Sequence, residues 1–174
     1  MNFLRYLTLL IIIYNTESLK GQVLESLKAD VDQSVGDIKP DRGIDLPLLK
    51  VCYENNIPQY YSVDGGYHGG RREILRLAKR KLFLPSLSGP AAKDGFITVR
   101  FVVNCDGKSG RFRVLQVDNN YRTAQFGKAH VSAILDFTKS LKDWKIGKIH
   151  QKPTDYYQYL TFVIRNGKTT DILP

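Results

Sequence analysis

Histidine, cysteine, tryptophan and methionine are scarce in this 174-residue chain, at three, two, one and one. The histidines, His68, His130 and His150, are scattered, and no H-x-x-x-H or H-E-x-x-H pair exists to hold a metal. There is no G-x-S-x-G elbow for a serine nucleophile and no G-x-x-x-x-G-K-[ST] loop for a nucleotide. Asp106-Gly107 lacks the alternating acids and distal glutamate of a calcium loop. Carboxylates are too sparse in the basic part of the chain to suggest an acid/base pair, and no repeat or low-complexity tract is present. These absences argue against an enzyme: no catalytic residue, metal, cofactor or small-molecule substrate is expected. What they leave is binding.

No apolar run reaches the roughly 20 residues that a bilayer span needs. Leu7 to Tyr14, broken only by Thr8 and preceded by Arg5, predicts an export signal over residues 1–21, cut near Gly21-Gln22. A retained inner-membrane anchor is the alternative. Export into an oxidising compartment makes Cys52 and Cys105 a disulfide candidate, with two buried thiols as the other reading. With no C-x-x-C and no second pair, neither zinc nor redox catalysis is supported.

Ten tyrosines, eight phenylalanines and a 43% hydrophobic content argue for a folded domain. The formal charge of +9 is uneven: residues 22–66 favour acids, and the chain from Arg71 onward is basic. Residues 22–46 read as a linker or lead-in, and 47–174 as the domain, with Leu48-Leu49-Lys50-Val51 as a lead-in strand.

The domain is organised around residues 95–117. Ile97, Val99, Phe101 and Val103 alternate with Thr98, Arg100, Val102 and Asn104, the period of a half-buried strand. Cys105 to Gly110 supplies a polar turn with two glycines, and Phe112, Val114 and Leu115 resume the β pattern. This predicts a hairpin. A helix is expected over residues 71–83, with Ile74, Leu75, Ala78 and Leu82 on one side and Arg72, Arg76, Lys79 and Arg80 largely on the other. A second is expected from a Thr123 cap to about Lys142, with an apolar stripe from Phe126 through His130 and Phe137 to Trp144. His130 is read there as a core or boundary histidine. Residues 157–164 form a third strand, with Leu160, Phe162 and Ile164 on one face, and Asn166-Gly167 turns the chain into residues 169–173. The fold class is α+β: a small antiparallel β-sheet of three or more strands with two helices packed on one face. An exposed sheet edge is a template for another chain, and the tyrosine-rich 157–164 strand is the candidate edge. The alternative is that it lies centrally and its tyrosines only pack.

In its order of segments the chain resembles the carboxy-terminal domain of the TonB family. Asp64-Gly65-Gly66-Tyr67-His68-Gly69-Gly70 with its helix and Leu84-Pro85 resembles the family's F-P-G-G, helix and Y-P segment. Residues 95–117 resemble its G-x-V-x-V-x-F-x-V-x-x-D-G hairpin, Trp144-Lys145-Ile146-Gly147 its W-x-P-G, and residues 157–173 its last strand and N-G-x-T-x-x-I tail. The resemblance implies a periplasmic module that recognises a segment of TonB-dependent outer-membrane receptors, or a similar envelope peptide, by β-strand addition. It places the partner-binding edge on Tyr157, Gln158, Tyr159, Leu160, Thr161, Phe162, Val163 and Ile164. His68 and Ile146 stand where the family has prolines, and there is no Pro-rich spacer, so energy transduction is not carried over. A second copy of the chain is another partner that a free edge admits. The competing reading is an anionic surface or polymer bound through Arg71, Arg72, Arg76, Lys79 and Arg80. Nucleic acid is not the expected partner, because no motif interleaves aromatic and basic residues.

Overall fold

Gly95 opens the hairpin in a conformation reserved for glycine. Its φ is 148°, and a Cβ there would collide with the Val117 oxygen, Asp118 Cα and the Phe126 ring. The computed structural model describes residues 36–45, 47–82 and 94–173. The expected export signal, most of the expected linker and the loop around Pro85 and Pro90 lie outside the described residues.

Strand β1 (Gly95–Val103) pairs antiparallel with β2 (Ser109–Val117). Asn104 closes the turn between them: its Oδ1 accepts the N–H groups of Asp106 and Lys108. Two three-residue strands, β3 (Gly147–Ile149) and β4 (Lys152–Thr154), form a separate hairpin. Strand β5 (Tyr156–Arg165) pairs with β1, and β6 (Lys168–Leu173) pairs with β5, giving an antiparallel sheet of order β2-β1-β5-β6.

The alternation in sequence sets the two faces. Ile97, Val99, Phe101 and Val103 of β1 join Tyr156, Leu160, Phe162 and Ile164 of β5 in one buried cluster. Helix α1 (Gly70–Lys81) adds Ile74 and Ala78 to it, and helix α2 (Lys128–Ser140) adds Ile134 and Phe137. Each Val, Leu, Ile or Phe among them, fully buried, contributes about 1.5–3 kcal/mol. The architecture is therefore a small α+β domain with both helices supplying the same side of the sheet.

Residues 38–45 and 47–57, from the acid-rich lead-in, occupy the other side as an irregular strap. Ile38 is buried with Val102 and Tyr157, and Leu49, Val51 and Ile57 pack against them. Residues 38–45, read from the sequence as linker, thus lie on the sheet. Leu48 to Val51 is not a strand, because neighbouring main-chain groups bond to side chains instead of to another strand. Lys50 O accepts from Asn104 Nδ2, and the Cys52 and Tyr53 N–H groups donate to Asp155.

The second helix starts later than expected. Residues 118–126 turn back on β2: Asp118 N–H donates to Arg122 O, Ala124 N–H to Gln116 O, and Phe126 N–H to the Gln116 side chain. Thr123 therefore bridges to Val117 and does not cap α2, whose N-cap is Gly127. Leu141 and Trp144 lie beyond the helix yet remain in the core.

Candidate functional site: sheet edges and the groove beside β2

The strand expected to be the edge is central. β5 is paired with β1 along residues 156–164 and with β6 along residues 161–165. Past the end of β6, the Tyr157 N–H donates to Pro58 O at 2.8 Å, within a parallel bridge between Gln59 and Tyr157. On the flank away from β1, residues 161–164 are thereby covered by β6 and Tyr157 by the Pro58–Gln59 segment. The Tyr159 main-chain oxygen accepts from the Gln158 side chain. Their tyrosines pack: the Tyr159 hydroxyl is 3.4 Å from that of Tyr60, and Tyr157 OH accepts the Ile38 N–H. The Tyr60 contact, with burial, pushes the Tyr159 phenol up to about 12. The hairpin through Asn166-Gly167 covers half of the expected edge with the chain's own last described strand.

The outer strands are β6 and β2. β6 is short, its register shifts between Val163 and Ile164, and Ile172 O accepts from Arg71 Nε. These features blunt an edge. β2 is more open. The bonds from Ala124 and to Arg122 show that Gln116 and Asp118 turn their main chain away from β1. Since antiparallel strands alternate, Val114 also points its N–H and C=O outward.

Two cavities of about 590 and 540 Å³ run along this flank and share Pro47, Ser109 and Lys142. The first is lined by Phe112, Val114, Leu135 and Lys139 on the helix side and by Ile44 and Pro47 on the strap side. Ile44 and Leu48 are exposed apolar residues at this rim. Lys139 Nζ lies 5.9 Å from the centre of the Phe112 ring, which adds a cation–π contact.

The strap wall is held by two ion pairs that sequence reading missed. Arg111, at a β-bulge with φ 56°, forms a bidentate pair with Glu54 at 2.6 and 2.7 Å. Arg113 grips Asp45 at 2.7 and 2.9 Å and donates to Lys39 O. The available signal was charge: two arginines alternating in a strand, and an acidic lead-in to meet them. Hydrogen bonds from Arg113 and Arg111 hold the Asp45 and Glu54 carboxyls below their ordinary values of 3.8 and 4.5.

Cys52 and Cys105 are joined in a disulfide, with Cα atoms 6.2 Å apart. Fully buried Asp155 braces both ends, accepting from Cys52 at 2.7 Å, Tyr53 at 2.6 Å and Cys105 at 2.9 Å. The bonded sulfurs offer no thiolate, so the cluster Cys52, Cys105 and Asp155 is a clasp for the strap. The disulfide is consistent with an extracytoplasmic compartment. Among the described residues no helix is long and apolar enough to cross a membrane.

The five cations of the competing site are not equivalent. Arg71 pairs with Asp171, and Arg76 pairs with Glu73 one turn earlier in α1. Arg72, Lys79 and Arg80 lie exposed on the same helix. His130 is half-buried, with Nε2 2.8 Å from the Thr169 hydroxyl. Burial pushes its pKa down from 6.5.

These groups predict two acid-dependent steps in stability. Unfolding returns His130 to its ordinary value, so its share is intact above about pH 6.5 and is lost as pH falls through the lowered folded value. The Asp45 and Glu54 contributions are present above about pH 4.5 and disappear as pH drops through their depressed folded values. Thermal midpoints measured across this range are expected to fall in both windows. His130→Gln removes only the first.

Comparisons with protein-family models, with curated proteins and with solved structures found no match for this chain.

Proposed function

We propose that this domain is a periplasmic TonB-like binding module that takes an extended segment of an outer-membrane receptor by strand addition along β2. The observation that carries the reading is the outward main chain of Val114 inside an apolar groove. Strand addition draws affinity from main-chain hydrogen bonds and selectivity from alternate side-chain pockets. The groove offers both, with Lys139 and Lys142 favouring a segment that carries acidic residues. The association of two of the motif segments also supports the family reading. His68 N–H donates to Asp143 O, and Lys145 N–H to Gly66 O, so residues 66–68 and 143–145 run together as a bridge.

The reading moves the receptor site from residues 157–164 to the opposite side of the hairpin. The α1 surface is the weaker alternative, since two of its five cations are already paired.

A proline pair tests the site. Val114→Pro removes an outward donor and is expected to abolish peptide binding while the domain stays folded. Leu115 stands opposite Thr98 with its main chain toward β1, so Leu115→Pro breaks a ladder bond and is expected to destabilise the fold itself. Receptor-peptide titration and circular dichroism on the two variants read both outcomes. Unchanged binding by Val114→Pro would exclude β2 as the receiving edge.

A further inference from the structure

A third cavity, of about 280 Å³, lies on the helix side of the sheet at the start of α1. Ile74, Trp144, Leu160 and Ile172 form its apolar floor, each at most 5% exposed. Gln158 also lines it; this side chain is 4% exposed, its Nε2 donates to Tyr159 O, and its Oε1 has no partner. A buried acceptor left without a donor carries a penalty that a bound donor removes.

Two cations, Arg71 and Lys145, stand at the rim. Arg71 gives Nε to Ile172 O and Nη2 to Asp171, and has a third guanidinium nitrogen outside these bonds. Lys145 stands exposed beside it. Helix α1 has 12 residues and no side-chain cap. In its first turn Gly70 N–H donates to Tyr67 O and Glu73 N–H to Gly69 O, which leaves the N–H groups of Arg71 and Arg72 at the same end. A ligand that satisfies these groups has three parts: a carboxylate for the rim, an N–H on the adjoining α-carbon for Gln158 Oε1, and an apolar side chain for the floor.

We infer that this cavity binds the carboxy-terminal residue of a peptide, or an N-acyl amino acid of the same chemistry, with an apolar side chain. The volume lies just under the roughly 300–1,000 Å³ typical of pockets for larger ligands, which suits a single residue. The site is separate from the β2 groove and stands whether or not a receptor segment binds there.

Trp144 is the sole tryptophan, so its fluorescence reports occupancy directly. The full-length protein is titrated with N-acetyl-L-phenylalanine, its amide and 3-phenylpropionate. The amide loses the charge and 3-phenylpropionate loses the N–H, so each is expected to bind about tenfold or more weakly than the parent acid. Gln158→Leu should abolish the advantage of N-acetyl-L-phenylalanine over 3-phenylpropionate while raising stability, because an unsatisfied acceptor is removed. If that variant does not fold, the three-ligand series on the native chain gives the same test. A tetrapeptide ending in phenylalanine that binds more tightly than the N-acyl amino acid identifies a chain terminus as the ligand, and the reverse order identifies the small acid. Val114→Pro is expected to leave all of these affinities unchanged. Equal binding of acid and amide, or no Trp144 response at millimolar ligand, would overturn the inference.

Discussion

Replacing Cys52 and Cys105 together with serine is expected to lower stability by about 4 kcal/mol. The bridge spans 53 residues, and the entropy of closing a loop of that length in the unfolded chain sets the magnitude. The native strap does not depend on the bridge alone. Asp155 still accepts from the main-chain N–H groups at positions 52 and 53, while Glu54 and Asp45 still meet Arg111 and Arg113. The serine variant should therefore keep the strap docked and lose stability chiefly through its unfolded state. Urea unfolding of both forms measures the difference. A loss below about 1 kcal/mol would mean that other contacts already restrain this segment in the unfolded ensemble.

Trp144→Ala is expected to cost about 3–5 kcal/mol, the range for emptying a buried aromatic site. Trp144 is 5% exposed and stands at a junction: its ring meets Tyr67 at 4.9 Å and Phe101 at 5.0 Å. Its Nε1 donates to Leu141 O, which fixes the chain where α2 ends. Tyr156 supports the same corner from β5. Its hydroxyl accepts from Gly66 N–H and donates to Lys145 O, and burial pushes that phenol up to about 12. Removing the indole thus empties a core site and loosens the bridge between residues 66–68 and 143–145. Chemical denaturation checks the size of the effect, and a cost near 1 kcal/mol would show that the corner collapses to fill the space.

The hairpin and both faces of β5 were legible because a period of two is a local signal. Ile97 through Val103, and Leu160 through Ile164, point where alternation says they should. Edge and centre are not local. The position of β5 depends on β6 folding back through Asn166-Gly167, and the short polar β6 carries little hydrophobic pattern to announce it. The start of α2 was misjudged for a related reason: Thr123 suits a cap by residue type, but Gln116 on β2 claims the main chain of the segment first. β3 and β4 left no signal, being three residues each and rich in lysine. The strap is legible in part. Cys52 and Cys105 stand out as a candidate pair and are bonded. Residues 38–45 read as linker because their packing rests on contacts with distant residues such as the Asp45–Arg113 ion pair.

The central claim is that β2 is the receiving edge. It is tested most directly by an NMR titration of the full-length protein with receptor-derived peptides bearing acidic residues. Amide shifts concentrated on Phe112, Val114 and Gln116, with Lys139 and Lys142 perturbed alongside, are the predicted result. Shifts centred on residues 157–164 with loss of the β6 pairing would contradict it, and would show that the peptide displaces the outer strand β6 from β5.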